Sequence, residues 1–369
     1  MEKIIPYLLT FLFLCLPWFI ILYIRDKKFQ AGAFLLFFTG YSFLHFLIHP
    51  LMYEYKFADL FAYTNLKEGT FYITFWINTL LIFPMYLVYD SHIFVYTLNV
   101  FLFSVWFGLV LDNRSLPEGI KKLLVIPIPL IYYSFFGLRD FTILLLLYAT
   151  YYSYQRSSNS YLNPSFFFIG ILFSIVRPEM LIIPAILVFF KAWSVSGRIF
   201  RSVLIILLVG VLYSGPSLAG ITLGIGTNIS YSNIIDFAVL RYERHSGAEG
   251  GGSQILGGSL FQLPFWQRYP VQVLSFFVNP LPFEFKLRYI PAAIDSILFS
   301  YLTFKSYKRY SILKLNQKHI LWSSIIAILF LSLFTSNYGN LFRLRMVFYS
   351  TFIFILTKYT NEEKSNSFT

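Results

Sequence analysis

Charged residues are scarce in this chain, and those that interrupt its apolar runs fall into a few short clusters. The stretch "FSIVRPEMLIIP" (173–184) sets Arg177 and Glu179 on either side of Pro178. The residue before a proline avoids the helical region, and proline suits a helix's first turn. Arg177 is therefore expected to flank a helix that begins near Pro178. Glu179 falls in its first turn, where the helix dipole favours an anion. "FFGLRDF" (135–141) repeats the arrangement: Gly137 breaks one run, Asp140 can cap the next, and Arg139 sits at the junction. Two helix N-termini, each carrying an arginine, make an anion site, because backbone amides and guanidinium forks both match phosphate oxygens. The plainer role of the same residues is a capped helix at a membrane interface with a local Arg–Glu pair.

"NYGNLFRLRM" (337–346) adds Arg343 and Arg345. They are two apart, so a helix would not point them the same way, and at most one is expected to share a site with Arg139 and Arg177. The other would reach phospholipid headgroups with its long stem. "RYERHSGAEGGG" (241–252) brings Arg241, Glu243, Arg244 and His245. His245 could act as a base near neutral pH, as could Glu179 or Asp140. A solvated loop histidine is the alternative. Asp59 and Tyr63, four apart in "YKFADLFAYTN", share one helical face. His45 and His49 have the i,i+4 spacing of metal ligands, but no third ligand accompanies them, and no metal is expected. There is no phosphate-binding glycine loop of the Walker type, no dinucleotide fingerprint and no Cys/His cluster, so no cofactor is expected either.

These residues must be positioned by elements of unusual composition. Of 369 residues, 57% are hydrophobic, 21% aromatic and 12% charged, and the mean hydropathy is +0.66. Ordinary soluble domains carry about 25% charged residues. The expected fold is all-α: a polytopic membrane bundle of 11 or 12 helices forming a single integral domain. Candidate spans are 5–24, 31–48, 71–89, 93–111, 123–136, 141–154, 166–176, 180–193, 203–221, 291–304, 320–335 and 346–357, several of which need their polar neighbours to reach the ~20 residues of a crossing. The first run lacks a small-residue cleavage site and reads as a retained helix, not a signal peptide. The single cysteine, Cys15, lies within it and allows no intramolecular disulfide.

The net charge of +12 fits basic cytoplasmic loops, not nucleic-acid binding. Lys305, Lys308, Arg309, Lys314 and Lys318 mark 305–319 as the strongest cytoplasmic segment, and 112–122 and 191–201 agree with it. This places 137–140, 177–179, 222–290 and 336–345 outside. "RDKK" at 25–28 also reads as cytoplasmic, which favours eleven crossings with an external N-terminus over twelve. The segment 222–290 is the one long connection. Its glycines (247–258) read as a hinge, and Phe265, Trp266 and Tyr269 as an apolar surface that closes over an external cavity.

Taken together, the "GLRDF", "RPEM" and "NLFRLR" junctions, the many spans and the late external loop resemble the Wzy-type O-antigen and capsular polysaccharide polymerases and their EpsG-like relatives. Arg241 and Gly252 match the R-x10-G pattern of some such loops; no second copy begins at Arg139 or Arg177, where positions 150 and 188 are Thr and Val. The resemblance implies a metal-independent membrane glycosyltransferase of the bacterial inner membrane. It implies undecaprenyl-pyrophosphate-linked glycans as substrates, and a flippase and a chain-length regulator as partners. Arg139, Arg177, Arg241, Arg244, Arg343 and Arg345 would bind pyrophosphate. Two alternatives stand beside it: a polyprenyl-phosphate-dependent glycosyltransferase of the GT-C kind with Asp59 as its acid, and a flippase of lipid-linked sugar.

Overall fold

Long apolar runs hold their backbone polar groups away from water, and a helix satisfies all of them within one segment. The computed structural model describes residues 4–52, 84–85, 87–89, 93–125, 140–157, 163–176, 180, 182–195, 255, 260, 263–281, 290–333 and 338–357, and it is all-helical, with no strand among these residues. The chain divides into two units, Met1–Leu145 with Leu356–Thr369, and Leu146–Ile355.

In the first unit, α1 (Ile5–Ile24) is the one helix among the described residues that is long and apolar enough to cross a membrane. Its middle, Phe11–Cys15, widens into a π-helical turn in which the Leu16 N–H donates to the Phe11 carbonyl. Pro17 follows directly and has no N–H for the regular ladder, which accounts for the wider turn. Asp26, at φ 55°, closes the tight turn into α2 (Lys28–Met52); a short polar side chain tolerates that left-handed conformation. α2 packs along α3 (Ile93–Asp112) through paired rings, Phe34 with Phe101 and Phe37 with Phe107 at 4.1 Å. Gly108 makes this approach possible, since a Cβ there would lie 3.3 Å from Gln30 Cγ. α1 meets α3 through a 2.6 Å hydrogen bond between the Thr10 and Thr97 hydroxyls. Trp106 donates its indole N–H to the Leu124 carbonyl of α4 (Glu118–Val125).

α5 (Asp140–Gln155) leads into the second unit, which continues with α6 (Pro164–Val176), α7 (Ile182–Val195), α8 (Phe265–Phe277), α9 (Ile290–Lys308), a 3-10 turn (Tyr310–Ile312), α10 (Leu315–Ser332) and α11 (Tyr338–Leu356). α10 packs against α7 and α8, and α8 also against α9. Ser324 of α10 joins Tyr151 of α5 at 2.7 Å and Thr351 of α11 at 3.0 Å, in the buried middle of this unit. Gln317 donates its side-chain amide to the Phe354 carbonyl. The N-terminal end of α10 therefore lies beside the C-terminal end of α11.

Three helices extend beyond the runs read from the sequence. The runs 291–304, 320–335 and 346–357 become α9, α10 and α11, whose ends take in Lys305 and Lys308, Lys318, and Arg343 and Arg345. The run 336–345, read as an external connection, contributes a full two turns of α11 from Tyr338 onward. Within the long connection 222–290, the aromatic stretch is helix α8, fixed by a Tyr269 hydroxyl bond to the Leu329 carbonyl at 3.0 Å and a longer one from Gln272 to Leu333. Burial pushes the Tyr269 phenol above its ordinary range, so it stays a neutral donor.

Candidate functional site

Arg345 and Tyr349 lie four apart on α11 and so share a face. That face meets α9 at Asp295 and Ser296. Asp295 and Arg345 both have 0% exposure, and their charges pair at 2.9 Å between Oδ2 and Nη2. Tyr349 donates its hydroxyl to the other carboxylate oxygen at 2.6 Å. The guanidinium also donates to the Ser296 hydroxyl and, at 3.4 Å, to the Ala292 carbonyl. Ser296 reaches on to the corner after α8: it donates to the Asn279 carbonyl and accepts from the Asn279 N–H, each at 2.8 Å. Ser300 donates to Phe277 in the same seam.

Aromatic rings close this group off. Phe276, Phe299, Phe348 and Phe352 stand edge-on to one another around the pair, and Phe299 also meets Tyr349 at 5.9 Å. In such surroundings an ion pair holds only if nearly every polar atom is satisfied. Two are not: Arg345 Nε has no hydrogen-bond partner among the described residues, and Asp295 Oδ2 has only its charge contact with Nη2. In this state the pair is closed, with its guanidinium engaged by Asp295 and Ser296 and shielded from solvent.

A second polar group lies toward the N-terminal end of α10, away from the first along α11. The Tyr154 hydroxyl meets His319 Nδ1 at 2.7 Å, and Phe190 stacks on the imidazole with ring centres 5.1 Å apart. Lys191, buried, sets its ammonium 5.6 Å from the centre of the Tyr154 ring. Burial first, and the facing Lys191 ammonium second, lower the His319 pKa and favour the neutral imidazole.

Of the candidate catalytic and pyrophosphate-binding residues read from the sequence, three fall where the structure describes them. Asp140 is buried in the first turn of α5. Arg343 and Arg345 both lie inside α11 and diverge: Arg343 is half-buried and Arg345 fully enclosed. Arg139, Arg177, Glu179, Arg241, Arg244 and His245 lie outside the described residues, as do Asp59, Tyr63 and the glycines at 247–258. Among the described residues no group of three or more His, Cys, Asp or Glu side chains converges on one point. The sequence reading missed Asp295, Tyr349 and the Tyr154–His319–Lys191 group. A signal for Asp295 was present: it is the lone acid inside "PAAIDSILFSYLTF". An ionisable residue within an apolar span is a functional candidate by default. Comparison of the chain with protein-family models, curated proteins and solved structures finds no match.

Proposed function

We propose that the chain is a multi-pass protein of the bacterial inner membrane that polymerises undecaprenyl-pyrophosphate-linked oligosaccharide repeat units into O-antigen, capsular or exopolysaccharide at the outer face. The observation that carries the membrane part is an inverted distribution of side chains. Ile20, Ile21 and Ile24 of α1, Leu36 and Phe43 of α2, Phe168 and Ile171 of α6, and Ile297 of α9 are exposed, while Asp295, Arg345 and Lys191 are buried. Apolar surface on so many helices suits hydrocarbon, where the polar groups must turn inward.

The chemistry rests on the arginines. Transfer of a glycan from its lipid carrier to an acceptor sugar releases undecaprenyl pyrophosphate, and the negative charge that develops must be stabilised. Fixed guanidinium groups in a dry site do this without reorganisation at the moment of reaction. Arg345 is held ready by Asp295, Ser296 and Tyr349, and the α11 start that carries it falls on the side read as external. The carboxylate it leaves on engaging pyrophosphate keeps the Tyr349 bond. The acceptor hydroxyl's proton goes to a base drawn from Glu179 and His245. A flippase would supply the lipid-linked units, and a chain-length regulator would set the product size.

A second reading, transport of lipid-linked sugar, is favoured by one observation: buried Asp295, Tyr349, His319 and Lys191 are the residue types that line ion and proton paths in membranes. The test is a gene-deletion strain complemented with the chain. Polymerase activity yields a ladder of glycan lengths, and its absence leaves a single repeat unit on the lipid. A transporter defect instead leaves unflipped, cytoplasm-facing lipid-linked units.

A further inference from the structure

The exposed edge of α9 changes character along its length. Ile290, Ile294, Ile297, Tyr301, Phe304 and Lys308 recur every three or four residues and all face outward. The opposite edge, Asp295, Phe299, Leu302 and Ser306, is buried. The outer stripe thus runs from aliphatic through aromatic to cationic over 19 residues, or about 28 Å at 1.5 Å per residue, close to the thickness of a bilayer's hydrocarbon core.

The aromatic and cationic end is built, not incidental. Lys305 lies 5.4 Å from the Tyr301 ring centre and Lys308 4.6 Å from that of Phe304. Across the turn, Lys318 lies 5.1 Å from the Tyr310 ring, and Trp322 donates its indole N–H to the Tyr310 hydroxyl at 3.2 Å. The cations at the C-terminal end of α9 are further favoured by its dipole. No acidic residue occurs between 305 and 319 to neutralise them.

We infer that the α9–α10 turn, from Tyr301 to Trp322, is a docking surface for anionic phospholipid headgroups. Its rings would sit at headgroup level, and Lys305, Lys308, Arg309 and Lys318 would hold the phosphates. The inference rests on the membrane reading and not on the glycan chemistry.

The test uses the full chain in mild detergent with equal amounts of phosphatidylglycerol and phosphatidylcholine, retained lipid being counted by native mass spectrometry. Wild type is expected to retain phosphatidylglycerol preferentially. Each cation removed, in Lys308→Gln and then K308Q/R309Q, weakens that retention about fivefold at low salt and leaves phosphatidylcholine unchanged. In wild type alone, 0.5 M salt removes the preference on the order of completely, since the Debye length falls to a few ångströms, whereas inorganic phosphate at the lipid's concentration does not displace the lipid. Equal retention of the two lipids by wild type, or unchanged preference in both variants, overturns the proposal. Displacement by inorganic phosphate also overturns it, assigning the surface to a free anion. Failure to hold either lipid would instead count against the membrane reading.

Discussion

Arg345 and Asp295 carry opposite charges with no exposure to solvent, and that fact decides what a substitution there does. Removing one partner strands the other as an uncompensated buried charge, which costs about 3–5 kcal/mol. Arg345→Met is therefore expected to lower the unfolding midpoint sharply in detergent. The double variant D295L/R345M removes both charges and regains most of that stability, because an apolar pair of similar volume is no worse than a buried ion pair. On the polymerase reading it elongates no glycan. A stable double variant with a full-length ladder would assign the pair to folding alone. Arg345→Lys keeps the charge but loses the fork that reaches Asp295 and Ser296 together, so it is expected to fold and to shorten the ladder.

At the scale of elements, close approach and hydroxyl bridges hold the helices. Gly108 faces Gln30 at a distance that leaves little room for added atoms. Gly108→Ala needs Gln30 to give by a few tenths of an ångström; Gly108→Val drives α2 from α3 and is expected to cost about 1–3 kcal/mol, read as a fall in unfolding midpoint. Ser324→Ala removes the hydroxyl between Tyr151 and Thr351 but leaves Tyr151 with Thr351 and Ser323 as partners, so it is expected to cost about 0.5–1.5 kcal/mol, read as a fall in unfolding midpoint. The helices themselves were legible because apolar runs such as 93–111 and 141–154 admit little else, and α3 and α5 follow them within a residue or two. Their polar ends were under-read at α9, α10 and α11. There Lys305, Lys308 and Lys318 lie against rings and Arg345 finds its carboxylate on another helix, neither of which a hydropathy run can register. The pair itself was hidden for the same reason: Asp295 and Tyr349 are separated by 54 positions, and only the packing of α9 on α11 brings them together. What the sequence did convey about the site was that Arg343 and Arg345, two apart on a helix, must part company.

Across the described residues of the molecule, large apolar side chains on several helices are exposed while Asp295, Arg345 and Lys191 are buried, the arrangement that the proposed membrane setting asks for. On the proposed function the chain works within the membrane and joins lipid-linked repeat units. The most direct measurement is elongation by the purified full chain in liposomes supplied with an undecaprenyl-pyrophosphate-linked oligosaccharide, without metal and without an ion gradient. Products lengthening by whole repeat units, with undecaprenyl pyrophosphate released in step, are the predicted result. Membrane-inserted, folded protein that leaves the substrate at one repeat unit, with the same preparation moving lipid-linked sugar between leaflets, would contradict it.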